Sequence, residues 1–143
     1  MVFVNTKFMT QRVCDRLQKQ GYQAEALHGD IRQSQRTRIM NDFKRGKFPI
    51  LVSTDVAARG IDVDDVEAVI NYDLPNENEY YLHRIGRTGR ARKHGVSFTM
   101  MTFQESVRMD EILRYMHTRP TPLHFDENKV LRREGGEAMF EKI

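Results

Sequence analysis

Three arginines spaced three residues apart are the first chemical signal in this sequence. Arg84, Arg87 and Arg90 alternate with Gly86 and Gly89. On a helical turn such residues share a face, where three guanidiniums repel one another unless an anion meets them. Arginine suits bidentate contact with phosphate oxygens, and glycine lets a backbone approach a ligand closely. The spacing predicts a phosphate-binding surface. A solvated basic face is the alternative, but it does not require the glycines.

The segment from Ser53 to Asp62 is a second candidate site. It follows a predicted buried strand and continues through Ala57, Ala58 and Gly60. A hydroxyl just past a strand end can donate to a phosphate that backbone N–H groups also face. The small residues would keep the loop thin, and Asp62 can accept a hydrogen bond from a ribose hydroxyl. The alternative is a tight strand-to-helix turn that binds nothing.

Length and composition indicate one ordinary globular domain. The chain has 143 residues, of which 39% are hydrophobic and 30% charged, so it needs no disulfide or metal to fold. A single cysteine excludes a disulfide framework and a multi-cysteine zinc site, and it favours a reducing, cytoplasmic location. No apolar run approaches the roughly 18 residues that cross a bilayer, so no membrane partner is expected. The net charge is only +3, but residues 83–95 contain no acidic residue.

Apolar patterning predicts strands that alternate with helices. The predicted strands lie at residues 2–4, 23–27, 49–52, 66–72 and 95–101, and the predicted helices at 7–20, 31–45, 76–85 and 106–117. Asp30 with Gln33, and Asn76 with Glu79, have the form of capping boxes. Strands separated by helices indicate an α/β fold with a mainly parallel sheet covered on both faces. The predicted domain covers residues 1–119, and residues 120–143 are a short C-terminal extension whose order is left open.

Small polar residues follow four of the predicted strands. They are Asn5 and Thr6, residues 28–30, residues 53–55, and Asp73. The carboxyl ends of parallel strands share one edge of a sheet, where ligands bind. This pattern predicts a site at that edge. The alternative, that these residues are only helix caps, applies best to Thr6 and Asp30.

Together these segments resemble the C-terminal RecA-like lobe of DEAD-box ATP-dependent RNA helicases, in helicase superfamily 2. The similarity covers about residues 2–119. The matching motifs are residues 2–7 (motif IV), 28–30, 33–36 (Q-x-x-R), 53–62 (motif V) and 83–90 (motif VI). The resemblance implies a three-layer, RecA-like (P-loop NTPase-like) fold with a central mainly parallel sheet flanked by helices.

The resemblance also implies roles for individual residues. Arg87 and Arg90 would be catalytic arginine fingers on the γ-phosphate of ATP. ATP-binding residues would be Gly60, Asp62, Arg87 and Arg90. Residues that couple the two lobes would be Arg59, His83 and Arg84. Residues that hold the RNA sugar–phosphate backbone would be Thr6, Gly29, Asp30, Gln33, Arg36 and Thr54. Backbone contacts carry no base information, so RNA binding would be sequence-independent.

Two family motifs have no counterpart here. The sequence contains neither G-x-x-x-x-G-K-S/T nor Asp-Glu-Ala-Asp, the motifs that cradle phosphates and hold magnesium. We therefore expect ATP with Mg²⁺ to be held by an N-terminal RecA-like lobe of the same protein. The chain alone should neither hydrolyse ATP nor unwind a duplex, and it holds no metal.

Two rival functions stay open at this stage. One is a superfamily 2 helicase that acts on DNA, which strand displacement on RNA and DNA duplexes would distinguish. The other is a stand-alone binding module that never meets an ATPase lobe. Walker-type and Asp-Glu-Ala-Asp sequences upstream in the reading frame would exclude the second.

Overall fold

A computed structural model describes residues 1–59, 63–89 and 94–133. Its centre is a five-stranded sheet in the order β2-β3-β1-β4-β5, in which every pair of neighbours is parallel. The strands are β1 Val2–Phe3, β2 Ala24–Leu27, β3 Ile50–Ser53, β4 Ala68–Asn71 and β5 Val96–Thr99. The helices are α1 Lys7–Lys19, α2 Gln33–Lys44, α3 Asp55–Ala58, α4 Asn78–Ile85 and α5 Ser106–Met116. The predicted parallel α/β sheet is confirmed.

Alternating residues of the strands enter two different cores. Phe3, Leu27 and Leu51 pack with α2 and α3, whereas residues such as Val4 and Val52 pack with α1. Because successive side chains of a strand point to opposite faces, this division places helices on both sides of the sheet. A third cluster joins α4 to α5. The three-layer arrangement predicted from the resemblance is thereby confirmed.

Helix starts were the least accurate part of the sequence prediction. Arg32 and Glu77 precede α2 and α4 without a side-chain cap, so neither predicted capping box forms. Asp30 instead contacts Lys7. A capping box does form at Thr102, whose backbone N–H donates to Glu105 at 2.7 Å before a 3₁₀ turn leads into α5. At α2 the local pattern failed because the Asp30 carboxylate pairs with Lys7 and does not cap the helix.

Two further features lie outside the predicted helices and strands. Residues 55–58 form a short helix within the segment for which the sequence analysis left open a thin loop or a strand-to-helix turn. In the extension, β6 (Leu123–Phe125) and β7 (Leu131–Arg133) form an antiparallel hairpin. Hydrogen bonds from Arg132 and from the Val130 and Asn128 amides hold the pKa of Asp126 below its usual value.

No helix among the described residues is long and apolar enough to cross a membrane.

The single cysteine tests the packing of α1 on the sheet. Cys14 is 1% exposed, and burial, with the nearby Asp15 and Glu25 carboxylates, raises its thiol pKa to about 11. Because the thiolate is the reactive form, native protein at pH 8 should resist iodoacetamide, and reactivity should rise only near pH 11. Mass spectrometry of native and urea-unfolded samples measures this. Rapid stoichiometric alkylation of native protein at pH 8 would show that the packing is wrong.

Candidate functional site

The loops that follow β1, β3 and β4 begin side by side at one edge of the sheet. Phe3 is in register with Ser53 of β3 and with Asn71 of β4, so the residues after these three strands must meet. Asn5 and Asp73 do so directly, because the Asn5 backbone N–H donates to the Asp73 carboxylate at 2.9 Å. The candidate site is built on this edge.

Arg84, near the end of α4, lies at the centre of the edge. Its side chain is 1% exposed. Nε and Nη2 donate to the two Asp55 carboxylate oxygens, each at 2.7 Å. Nη1 donates to the Asp73 carbonyl at 2.6 Å, and Nη2 also donates to Asn5 Oδ1 at 2.9 Å. The Phe3 ring lies below the guanidinium, 5.4 Å from its centroid. One buried side chain thus ties the loops after β1, β3 and β4 to α4.

This position corrects the expectation that three guanidiniums share one ligand-facing surface. Asp55 draws Arg84 inward, and α4 ends at Ile85 with Gly86 as its C-cap. Arg87 therefore leaves the helix and does not continue a helical row. Arg90 lies outside the described residues. Arg84 has its neutralising anion within the lobe, so it does not need a ligand phosphate.

Arg87 is held by both its backbone and its side chain. Its N–H donates to the Arg84 carbonyl at 3.2 Å, and its carbonyl accepts from the Val66 N–H at 3.1 Å. Its Nη2 donates to the Ala58 carbonyl at 3.0 Å. The Thr88 hydroxyl donates to the carbonyl of Val66 next to this bond. The segment that carries Arg87 is thus attached both to α3 and to the residues that precede β4.

Gly95, which immediately precedes β5, lies against the segment that carries Arg87. A Cβ at position 95 would collide with the Thr88 hydroxyl and the Gly89 amide. Gly89 itself has a positive φ of 70°, a conformation that glycine adopts without strain. Packing therefore explains Gly95, and backbone conformation explains Gly89.

A small cleft of about 100 Å³ opens beside Arg87. Arg59 lies on one side, where its Nη2 donates to the Tyr80 hydroxyl at 2.8 Å and its guanidinium lies 5.6 Å from the centre of the Tyr80 ring. His83 is an exposed lining residue. Gly60 and Asp62, the other predicted nucleotide contacts, lie outside the described residues. The cleft brings Arg59, His83 and Arg87 together, whereas Arg84 forms its floor.

The predicted RNA contacts on α1 and the loop after β2 lie close together. Lys7 Nζ is 3.0 Å from Asp30 Oδ1, and both side chains are exposed. Thr6 is the N-cap of α1 and accepts from the Met9 N–H at 3.2 Å. Gly29 is exposed, and a Cβ there would meet nothing within 4 Å. A phosphate would be repelled by Asp30 alone, so Lys7, which the sequence analysis did not select, supplies the compensating charge.

The remaining predicted RNA contacts surround α3. Thr54 caps this helix, accepting from the Ala57 N–H at 3.2 Å, and is only 9% exposed. Arg36 reaches across from α2, and its Nη2 donates to the Ala57 carbonyl at 3.3 Å. Gln33 is the exposed first residue of α2. Thr54 thus caps α3, Gln33 is exposed and Arg36 is half-buried. The RNA contacts of all three stay predictions.

Five site residues received no individual role in the sequence analysis: Asn5, Asp55, Asp73, Tyr80 and Lys7. The first three were visible only as polar residues after strands, and Tyr80 resembled an ordinary packing residue. Their partners are distant in the sequence, and no local spacing predicts contacts of that kind. Among the described residues, no cluster of three or more His, Cys, Asp or Glu side chains could hold a metal ion.

A larger open groove of about 590 Å³ lies elsewhere, beside Met1, Pro49 and Ala68. These residues are at the starts of the strands, so the groove is remote from the polar edge. Because the polar residues lie at the opposite edge of the sheet, this groove is not the candidate site, although its volume exceeds that of the cleft beside Arg87.

The buried Arg84–Asp55 pair generates a stability prediction. Arg84→Met keeps similar bulk but leaves the Asp55 carboxylate, 13% exposed, without its cation. Breaking a buried pair in this way costs about 3–5 kcal/mol. We expect a melting temperature lower by roughly 10 °C or more, whereas Arg87→Ala should change it by only a few degrees. Scanning calorimetry on the chain measures both, and equal shifts would contradict this assignment of roles.

Known proteins resemble this chain in sequence. The chain matches the helicase conserved C-terminal domain over residues 1–92. It is 42% identical over 131 residues to the ATP-dependent RNA helicase FAL1 of Candida albicans, covering 92% of this chain and 33% of that protein. The chain thus spans about a third of the length of that relative.

Solved structures give the same result. A DEAD box protein from the hyperthermophile Methanococcus jannaschii superposes with a TM-score of 0.78 at 45% identity, over 82% of this chain and 32% of that one. S. cerevisiae Dbp5 bound to RNA and ADP BeF3 superposes with a TM-score of 0.76 at 35% identity, over 83% and 32% of the two chains. The chain therefore belongs to the helicase conserved C-terminal domain family, as the C-terminal RecA-like lobe of a DEAD-box protein.

Proposed function

We propose that this lobe works within an ATP-dependent RNA helicase that remodels RNA duplexes or ribonucleoproteins. It supplies arginines to ATP held by an N-terminal RecA-like lobe and binds the RNA backbone itself. The observation that carries the proposal is the cleft where Arg87, Arg59 and His83 meet on the carboxyl edge of the sheet. The relative named as an RNA helicase and the relative solved with RNA and ADP BeF3 support it.

Arg87 is the residue best placed to act on a phosphate. Its backbone is fixed on both sides and one guanidinium nitrogen rests on the Ala58 carbonyl. A cation held in this way can stabilise charge that develops on a transferring phosphoryl group without reorganising. Arg90 would act with it, and Gly60 and Asp62 would contact the nucleotide. The Mg²⁺ that accompanies ATP would be held by the other lobe. This lobe alone would not hydrolyse ATP.

The RNA surface would run from the start of α1 to the start of α2. Gln33 and Arg36 offer donors to phosphate oxygens, and the N-terminal ends of α1 and α2 favour negative charge. The Thr6 hydroxyl accepts from the Met9 N–H and so keeps its own hydrogen for a donor bond. Asp30, paired with Lys7, is better suited to accept from a ribose 2′-hydroxyl than to meet a phosphate. Such contacts would bind RNA without reading its bases.

Arg59 and His83 would contact the other lobe when the two lobes close. Both are exposed at the cleft mouth, so a partner surface can reach them without rearranging the core. We propose that the lobe spans residues 1–119 and that the β6–β7 hairpin belongs to the extension that follows it.

Replacement of Arg87 tests the proposed role in ATP hydrolysis. In the two-lobe protein, Arg87→Ala should lower RNA-stimulated ATP turnover about 10³-fold or more, because it removes charge stabilisation in the transition state. Arg114→Ala, which removes an exposed arginine of α5, is the matched control and should leave turnover unchanged. Near-normal turnover of the Arg87 variant would refute the proposed role.

Gly29 allows a test of RNA binding that leaves the fold intact. A Cβ there would meet no atom within 4 Å and the position is exposed, so Gly29→Ala and Gly29→Leu should fold normally. Because a backbone ligand would approach this bare surface, RNA affinity of the two-lobe protein should fall progressively from Gly to Ala to Leu. Fluorescence anisotropy with single-stranded RNA at fixed salt measures it.

The same titration with DNA separates the proposal from its rival. Equal affinity for RNA in all three proteins would remove Gly29 from the RNA surface. Equal affinity of the parent protein for RNA and DNA would favour the DNA helicase.

A further inference from the structure

The short helix α3 is contacted by arginines from two separate parts of the site. At its start, Asp55 receives Arg84. At its end, the carbonyls of Ala57 and Ala58 accept from Arg36 and Arg87 respectively. Helix α3 therefore lies between the surface proposed for RNA and the arginine proposed for ATP. Its position sets where Arg87 lies.

The Arg84–Asp55 pair is the contact that fixes α3 to α4. Two nearly equal hydrogen bonds of 2.7 Å join the guanidinium fork to both carboxylate oxygens. A planar fork bound at two points fixes orientation as well as distance. Bonds to the Asp73 carbonyl and to Asn5 prevent the fork from tilting.

One backbone hydrogen bond connects Arg84 directly to Arg87. The Arg84 carbonyl accepts from the Arg87 N–H, and the Arg87 carbonyl accepts from the Val66 N–H. The Arg87 side chain rests on the last carbonyl of α3. Arg87 is thus attached to α4 by its backbone and to α3 by its side chain, and Arg84 bonded to Asp55 keeps those two helices in register.

We propose that Arg84 is a positioning residue for Arg87 and not itself a contact between the lobes or with phosphate. At 1% exposure, Arg84 reaches a ligand only by leaving Asp55, which strands a nearly buried carboxylate. Its effect on the reaction therefore passes through the placement of Arg87. This inference rests on the proposed function, because it assumes that Arg87 acts on ATP.

The test is a set of variants in the two-lobe protein. Arg84→Lys keeps the charge but loses the fork, and Asp55→Glu keeps the carboxylate but moves it by one methylene. Because a misplacement of about 1 Å can cost as much as 10²-fold in rate, each should lower RNA-stimulated kcat by roughly 10- to 100-fold. RNA affinity measured without nucleotide should change little, since Arg36 and Gln33 are untouched.

Combination with Arg87→Ala separates positioning from simple destabilisation. If Arg84 acts through Arg87, adding Arg84→Lys or Asp55→Glu to Arg87→Ala should reduce kcat no further, because residues that act as a unit are strongly non-additive. Independent effects that multiply would overturn the inference. If Arg84→Lys lowers the melting temperature too far for assay, Asp55→Glu carries the same comparison.

Arg108 supplies the matched structural control. This arginine of α5 donates to the Pro75 carbonyl at 3.0 Å and to Asn78 at 2.8 Å, so it anchors the start of α4 instead of its end. Arg108→Lys should lower stability while leaving kcat near that of the parent protein. A kcat loss equal to that of Arg84→Lys would show that any weakening of α4 suffices, and would overturn the specific role of Arg84.

The outcomes distinguish this inference from the proposed function. If Arg87→Ala alone retains normal turnover, the proposed function fails and the inference falls with it. If Arg87→Ala abolishes turnover but the Arg84 variants act independently of it, the inference alone is wrong.

Discussion

The buried guanidinium of Arg84 holds together the carboxyl edge of the sheet, where the loops after three strands meet. Arg84 must be neutralised, since an isolated charge in the interior is very costly. Asp55 provides the countercharge, and Asn5 Oδ1 and the Asp73 carbonyl each accept one further N–H of the guanidinium. Because these acceptors follow different strands, their bonds to Arg84 hold the loops after β1, β3 and β4 against α4. The candidate site is the surface that results from this convergence.

The parallel sheet is what makes such a convergence available. Parallel neighbours bring their carboxyl ends to one edge, and right-handed crossovers place each following helix on a face. The polar loops then lie in a row above a core made of alternating strand residues. The same edge carries the cleft beside Arg87 at one place and the exposed surface of Gly29 and Gln33 at another. Helix α3 lies between them, and its carbonyls accept from Arg36 on one side and from Arg87 on the other.

Some residues that look like ligand contacts in the sequence have structural partners in the fold. Thr54 caps α3, and Arg84 is buried against Asp55. Each has a sufficient packing reason to be the residue it is. Arg87, Arg59 and His83 differ because they border the cleft, where a second lobe or a ligand can reach them.

The sequence by itself determined the fold class, the order of the motifs and the family to which they belong. It could do so because apolar periodicity and motif spacing are local properties of the chain. It also located the polar strand ends correctly, since a parallel sheet allows only one edge for them.

Only the tertiary structure decided which arginine turns inward. Arg84 and Arg87 are equivalent in local spacing, but Asp55 lies 29 residues before Arg84 and meets it only after the sheet forms. The same holds for Lys7 with Asp30 and for Arg59 with Tyr80. Pairing energies between distant residues depend on distance and burial, and neither quantity is fixed until the chain has folded.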